Sequence, residues 1–248
     1  MSSSTTGRGR SREVTILAAL LAVAVAIIGM LLMRPSGQPA AAPTAATTSQ
    51  GAGQPGAAPT TQGKVKDTAR RKEGDPLAIG KIDAPVTMIE YADYACPFCA
   101  KWALQTQPAL IKKYVDAGVL RIEWHDLVIF GDKSRRAAMA ARAAGEQGKF
   151  WEYQHALFAA SPTSGHPDLT DDKLLAFAKQ AGVTDLARFT KDMESSKIDE
   201  AIGTETATAQ QLGANSTPVF IINGTPLVGA QPEEAFVQVI ERAKAARG

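Results

Sequence analysis

The chain has 248 residues, of which 45% are hydrophobic, and a formal net charge of +2. This length allows one sizeable globular domain with additional segments and is too short for three domains. The small net charge argues against a protein that attracts nucleic acids through a basic surface.

The N-terminus has the pattern of a membrane anchor. Residues 1–13 are polar and carry three arginines, and Val14–Met33 follows as an uncharged apolar run. About 20 such residues are enough to cross a bilayer as a helix. Because only Arg34 follows the run before Lys64, the positive-inside rule predicts a cytoplasmic N-terminus and an extracytoplasmic remainder. The alternatives are a cleaved signal peptide, whose apolar region is usually about 7–15 residues long, and a buried soluble helix.

Residues 34–63 consist mainly of Pro, Ala, Gly, Thr and Gln. Such a composition cannot bury a core, so we expect a disordered linker whose ends lie roughly 30 Å apart as a flexible coil. Two interpretations of this linker remain open: a tether that extends the reach of the domain, and a simple spacer. The first 63 residues hold four Arg and one Glu, so the remaining chain has 23 basic and 24 acidic residues, a net charge of −1.

The pattern of residues 64–248 predicts a single α/β domain. A strand over 85–93, a helix from 96 to 118 with a kink at Pro108, and a strand over 119–130 come first. A strand, a helix and a second strand in this order imply a right-handed parallel crossover.

A block of helices over about 132–212 follows, with breaks at 145–148 and near Ser195. A β-hairpin with Asn223-Gly224 as its turn adds antiparallel strands, and an amphipathic helix with Pro232 in its first turn ends the chain. The sequence therefore predicts a mixed central sheet with a helical insertion.

The stretch "EYADYACPFCAKW" contains the only two cysteines of the chain, Cys96 and Cys99. Half of a zinc site is one interpretation, but zinc needs about four ligands and the three histidines form no ligand-spaced pair. A purely structural disulfide is the second, although a bridge across two intervening residues adds little stability. A redox-active dithiol is the third, and the surrounding pattern favours it.

A strand leads into the two cysteines and a helix leaves them. Cys96 is then at the helix N-terminus, where unpaired backbone N–H groups and the positive end of the dipole stabilise a thiolate. Pro97 at the first helical position sacrifices no helical hydrogen bond. We therefore expect Cys96 to be an exposed, low-pKa nucleophile and Cys99, one turn further and buried, to be the resolving thiol.

These features together resemble the DsbA-like thiol–disulfide oxidoreductases, which have the thioredoxin fold. The resemblance rests on "CPFC", the kinked helix, the helical insertion and the late "TPVFIING", and it covers nearly all of residues 75–246. The segment "DPLAIGKIDAPVTMIEYADYACPFC" is similar to the membrane-anchored members of Gram-positive bacteria. The resemblance implies an enzyme that exchanges disulfides with secreted proteins outside the cytoplasm.

The resemblance also implies roles for single residues. The Thr217-Pro218 bond should be cis and face the cysteines, with the Thr217 backbone free to pair with an extended substrate; an ordinary trans proline opening a strand is the alternative. Glu90 matches the buried acid that helps move protons as Cys99 changes state, unless it is paired with a partner or lies at an exposed strand end. Phe98 either contacts partners or packs.

The direction of exchange is less tightly specified. Proline after the first cysteine, and no tryptophan before it, favour an oxidase that donates its disulfide. Thr217 is a threonine in several isomerases, so a reductase or isomerase remains an alternative, and an anchored binding domain with an inert disulfide is a second. The expected partners are unfolded secreted proteins with free thiols and a quinone-linked membrane reoxidant of the DsbB or vitamin-K-epoxide-reductase type, with no metal or cofactor.

Overall fold

The structure is a computed structural model that describes residues 65–247. The expected cytoplasmic tail at 1–13, the anchor at 14–33 and the linker at 34–63 lie outside the described residues. Within residues 65–247, none of the helices combines the length and the apolar character needed to cross a bilayer.

A five-stranded mixed sheet forms the centre of the domain. Its strands are β1 (Ala78–Ile79), β2 (Val86–Ala92), β3 (Leu120–Asp126), β4 (Val219–Ile222) and β5 (Thr225–Val228). The spatial order is β1-β3-β2-β4-β5, with β2 and β3 parallel and every other pair antiparallel. The predicted parallel crossover and antiparallel hairpin are both confirmed, whereas the two-residue strand β1 was not predicted.

Eight α-helices connect and cover these strands within the described part of the chain. They are α1 (Pro97–Gln105), α2 (Gln107–Leu110), α3 (Asp132–Gly145), α4 (Phe150–Ala159), α5 (Asp171–Gln180), α6 (Leu186–Asp192), α7 (Ser196–Gln211) and α8 (Glu233–Ala245). The segment from α3 to α7 is the predicted helical insertion, and the predicted breaks after Gly145 and near Ser195 are confirmed.

Pro108 breaks the first helix as predicted. Proline has no backbone N–H, and its ring clashes with the carbonyl four residues earlier. The regular helix accordingly ends at Gln105, α2 begins at Gln107, and Ile111–Val115 continues as a π-helical turn.

Two predicted boundaries were wrong. The strand expected to reach residue 130 ends at Asp126, because the N–H groups of Ile129 and Phe130 donate to the Asp93 carboxylate instead of to a neighbouring strand. Pro232 precedes the last helix as its N-cap rather than lying in its first turn.

The central strand β2 is buried along its whole length, so both faces of the sheet are covered. On one face, Ile89 and Tyr91 pack with hydrophobic residues of an N-terminal strap, which we define as residues 65–75. On the other face, the ring centroids of Trp102 and Phe220 are 4.6 Å apart, and those of Phe220 and Phe236 are 4.8 Å apart. This packing fixes α1, and therefore the cysteines at its start, against the sheet.

Candidate active site

The two cysteines occupy the first turn of α1, as predicted. Cys96 is the N-cap residue in an extended conformation, and Pro97 is the first residue of the helix. Both cysteines are free thiols in the structure. The Cys99 side chain is fully buried.

The expected exposure of Cys96 was wrong. The residue is only 2% exposed. Its sulfur lies beneath the loop before β4, where it is 3.3 Å from the carbonyl oxygen of Thr217. The S–H group donates to this carbonyl, and the hydrogen bond holds the sulfur inward.

The Thr217-Pro218 peptide bond is cis, as predicted. Its loop lies directly against Cys96, 121 positions away in the sequence. The sheet explains this meeting, since β4 begins immediately after Pro218 and runs antiparallel to β2, the strand that leads into the cysteines. The structure thus brings together Cys96, Cys99, Thr217 and Pro218.

The surroundings of Cys96 favour its thiolate. They lower the pKa of Cys96 to about 6, mainly through a hydrogen bond from the Cys99 thiol. Burial opposes this effect, while the Thr217 side chain and the backbone N–H groups of Cys99 and Phe98 add to it. A sulfur at a helix N-terminus gains this stabilisation because the first N–H groups of the helix have no partner within it.

The surroundings of Cys99 act in the opposite direction. Burial raises the pKa of Cys99 well above its usual range, and the hydrogen bond with Cys96 raises it further. The two thiols are therefore different: Cys96 ionises near neutral pH, and Cys99 keeps its proton. Such a contrast suits an attacking thiol and a resolving thiol.

Glu90 lies in the middle of the buried strand β2, opposite Trp124 of β3 and Phe220 of β4. Its side chain is fully buried, and neither carboxylate oxygen has a hydrogen-bond partner within residues 65–247. Burial raises the pKa of Glu90 well above its usual range. Neither a pairing with a partner nor an exposed strand end therefore accounts for this residue.

The dipeptide between the cysteines faces outward. Phe98 is 60% exposed although it is next to the buried cysteines, so its ring is not part of the core. Pro97 is half-buried. An exposed aromatic ring beside a reactive sulfur is suited to contact with another protein.

Two residues near the site were not singled out for it by the sequence. Asp93 is buried, and its carboxylate accepts the N–H of Ala95 and the hydroxyl of Ser134 as well as two N–H groups of the loop after β3. An Asp at the end of a strand often accepts a hydrogen bond from the backbone N–H two residues later, so the Asp93–Ala95 bond could be predicted from the sequence. His166 contacts the carbonyl of Ala95 from a distant loop, and no local pattern indicates this contact.

Within the described residues, no group of three or more His, Cys, Asp or Glu is arranged to hold a metal ion.

Comparisons with known proteins agree with this geometry. The family model described as thioredoxin matches residues 72–242. A Bacillus cereus protein named "Probable disulfide bond formation protein D" is 29% identical over 150 residues, which cover 59% of this chain and 69% of the relative.

Solved structures share the fold. The oxidised form of BdbD from Bacillus subtilis has a TM-score of 0.64 at 23% identity, and the match covers 70% of this chain and 94% of that one. DsbA of Chlamydia trachomatis has a TM-score of 0.63 at 18% identity, covering 75% and 98%. The chain therefore belongs to the thioredoxin family and is similar to disulfide bond formation proteins, which are thiol–disulfide oxidoreductases.

Proposed function

We propose that this enzyme works outside the cytoplasm as an oxidase, which donates a Cys96–Cys99 disulfide to secreted proteins as they fold. The observation that carries the proposal is the contrast between the two thiols. The pKa of Cys96 is lowered to about 6, whereas that of Cys99 is raised. The lowered pKa makes Cys96 a good leaving group at neutral pH.

The exchange proceeds in two steps. A thiolate of the client attacks Cys96 in the oxidised enzyme, an intermolecular disulfide forms, and Cys99 leaves with the electron pair of the broken bond. A second client thiolate then attacks the client sulfur of the mixed disulfide, and Cys96 leaves as a thiolate. The client loses two electrons and gains a disulfide, and the enzyme ends as the dithiol.

Glu90 serves the first step as a proton donor. Cys99 leaves as an anion in a buried place where its thiol form is strongly favoured. A carboxyl group with a raised pKa, buried without a partner among residues 65–247, can hold a proton at neutral pH and supply it. Once it has given up its proton, the ionised Glu90 acts to raise the pKa of Cys99, so the two groups are electrostatically linked.

In the reduced enzyme, which a reoxidant must reach, access to the buried Cys96 depends on its ionisation. The thiol donates to the Thr217 carbonyl, and a thiolate has no proton to donate. The carbonyl oxygen then repels the anion, which favours rotation of the sulfur toward the surface. In the oxidised enzyme the Cys96 sulfur also has no proton to donate, so the Thr217 carbonyl can pair with the backbone of an extended client, while Pro97 and the exposed Phe98 contact the client beside it.

The direction of exchange follows from the stabilised thiolate. Stabilising the reduced form makes a disulfide more oxidising, and reduction potentials range from about −270 mV for thioredoxin to about −120 mV for DsbA. A Cys96 pKa of about 6 is well below the usual value of a cysteine, about 8.5, and supports a potential toward the oxidising end of this range. The alternative of an isomerase or reductase rests on the family resemblance alone, since several isomerases have a threonine at the position of Thr217.

The location and partners complete the proposal. Val14–Met33 anchors the chain with its N-terminus in the cytoplasm, and residues 34–63 form a linker that carries the domain at 64–248 outside. There the products keep their disulfides. A quinone-linked membrane protein, of the DsbB or vitamin-K-epoxide-reductase type, takes the two electrons from the reduced dithiol.

The redox potential of the dithiol is the decisive measurement. Equilibration of the enzyme with glutathione should give a value near −150 mV or higher. A value near −270 mV would establish a reductase instead. If dithiothreitol failed to reduce the bridge in the folded domain, the alternative of an anchored binding domain with an inert disulfide would stand.

A trapping variant identifies the clients. Cys99→Ala cannot resolve the intermediate, so mixed disulfides through Cys96 should accumulate in growing cells and disappear on reduction. The matched control is Cys96→Ala, which should trap nothing.

The orientation of the anchor is tested by labelling single introduced cysteines at either end of residues 14–33 with a membrane-impermeant maleimide. Only the C-terminal side should react in intact cells.

A further inference from the structure

The turn that delivers the chain from β2 into α1 is held by hydrogen bonds from within itself. The N–H of Ala95 donates to the Asp93 carboxylate at 2.8 Å, and the N–H of Cys96 donates to the Asp93 carbonyl at 3.1 Å. These bonds fix one side of the turn. Within the described residues, no N–H group of the turn donates to the carbonyl of Ala95, so its donor comes from elsewhere.

That donor comes from the helical insertion. His166 lies in the connection between α4 and α5, and its Nδ1 is 2.9 Å from the carbonyl oxygen of Ala95. A carbonyl oxygen can only accept, so Nδ1 carries the proton. The hydrogen bond is present in the neutral tautomer with Nδ1–H and equally in the charged imidazolium, which carries both ring protons.

The same imidazole closes a ring of contacts around the turn. Its centroid is 4.9 Å from that of the Phe130 ring. The backbone N–H of Phe130 donates to the Asp93 carboxylate at 3.3 Å, and the other oxygen of this carboxylate accepts from Ala95. The contacts therefore form a closed circuit, which links Asp93, Ala95, His166 and Phe130. Ala95, the member nearest the site, directly precedes Cys96.

We propose that His166 is a positioning residue for disulfide exchange: its bond to the Ala95 carbonyl holds the turn so that the Cys96 sulfur lies over the first N–H groups of α1. Within residues 65–247, His166 is the only residue of the helical insertion whose side chain forms a hydrogen bond with the backbone of residues 94–96. The inference rests on the proposed role of Cys96 as the nucleophile.

The consequence for Cys96 follows from geometry. Its thiolate depends on N–H groups of Phe98 and Cys99, which are fixed in α1, whereas Cys96 itself is outside the regular helix as its N-cap. Freedom of the preceding peptide lets the sulfur move away from those donors. Because hydrogen bonds to an anion weaken with distance and angle, a looser turn makes the thiolate less favourable.

Two substitutions separate the donor from the ring. His166→Phe keeps an aromatic ring against Phe130 and removes the donor. His166→Asn removes the ring, but its side-chain amide N–H occupies about the position of Nδ1. The rate of alkylation of Cys96 is measured against pH in the reduced full-length chain, together with the equilibrium constant with glutathione and the melting temperature.

We expect His166→Phe to raise the Cys96 pKa by about half a unit and to make the disulfide about threefold less oxidising in its equilibrium with glutathione, as the loss of one hydrogen bond implies. His166→Asn should retain the values of the natural enzyme. His155→Phe on α4 is the matched control, since His155 is exposed and outside the circuit, and it should change neither quantity.

The outcomes are distinguishable. If His166→Phe leaves the pKa and the equilibrium constant unchanged, or if His166→Asn shifts them equally, the positioning role is refuted. A lower melting temperature in all His166 variants with no change at Cys96 would show a structural role alone and would also refute it. A Cys96 pKa near 8.5 in the natural enzyme contradicts the proposed function instead, whatever the variants do.

Discussion

The Cys96 sulfur lies 3.3 Å from the carbonyl oxygen of Thr217, and the hydroxyl of the same threonine is buried without a partner among residues 65–247. These two groups act on opposite states of the sulfur. The carbonyl accepts from the thiol and favours the protonated form. The hydroxyl can donate to the thiolate, and it acts to lower the pKa of Cys96.

The Thr217 hydroxyl should therefore contribute to the oxidising strength of the enzyme. Thr217→Val preserves the shape of the side chain and removes the donor. We expect the Cys96 pKa to rise by about half a unit to one unit, since one hydrogen bond to a charged group is lost. The rate of alkylation of Cys96 against pH measures the shift. Thr190→Val, on the distant helix α6, is the control, and an unchanged or lower pKa in Thr217→Val would contradict the assignment.

Apart from the two-residue strand β1, the sequence was sufficient for the order of strands and helices because these elements have their own local signals. Alternating or continuous apolar residues define β2 and β4, Pro97 defines the start of α1, and Asn223-Gly224 defines the hairpin turn. The end of β3 was missed because the N–H groups of Ile129 and Phe130 bind the Asp93 carboxylate, a partner far away in the sequence. Local periodicity contains no information about such a bond.

The burial of Cys96 and the contact of His166 could not be predicted from local sequence either, because both depend on residues far away in the chain. Whether a helix N-terminus is open or covered depends on which loop crosses it, and Thr217 crosses this one from 121 positions away. His166 is separated from Ala95 by 71 positions. A family resemblance can transfer the proline loop, since its motif is in the sequence, but His166 has no such motif.

Glu90 should lower the stability of the enzyme at neutral pH. A buried carboxyl group with a raised pKa binds its proton in the folded state and loses it in the unfolded state, where the pKa is about 4.3. Folding is therefore fully stabilised below about pH 4 and loses stability as the pH rises toward the folded pKa. Glu90→Gln has the same shape without a titrating group, so its free energy of unfolding should be higher by about 1–3 kcal/mol at pH 7.

Urea unfolding of the reduced protein at pH 7 and at pH 4 measures this difference, which should nearly disappear at the lower pH. Glu200→Gln, at an exposed position of α7, is the control and should match the natural protein at both values. A constant gain at both pH values would show that Glu90 does not take up a proton on folding. The same variant should exchange disulfides more slowly, since it cannot supply a proton to Cys99.

Glu123 should have the opposite dependence on pH. It is fully buried in β3, and its carboxylate accepts the backbone N–H of Arg70 at 2.6 Å, that of Arg71 at 2.9 Å, and the guanidinium of Arg121 at 2.7 Å. Burial acts to raise its pKa, but these hydrogen bonds outweigh burial and hold the pKa well below its usual range. His125 also lowers the pKa of Glu123, with its Nε2 3.7 Å from the carboxylate.

The bonds of Glu123 attach the N-terminal strap to the sheet, so Glu123→Gln should weaken both the fold and the strap. The amide turns one acceptor into a donor that faces other donors, and we expect a loss of about 2–4 kcal/mol in the free energy of unfolding. A carboxylate with a lowered folded pKa stabilises fully above about pH 4.3 and loses its effect only as the pH falls through the folded value. The loss should therefore be constant between pH 5 and 8 in urea titrations, and proteolysis within residues 65–75 should become faster. Glu73→Gln is the control, since Glu73 is exposed in the same strap, and it should change neither quantity. If the strap of Glu123→Gln resisted proteolysis, the apolar contacts of Val65 and Ala69 with the sheet would be sufficient to hold it.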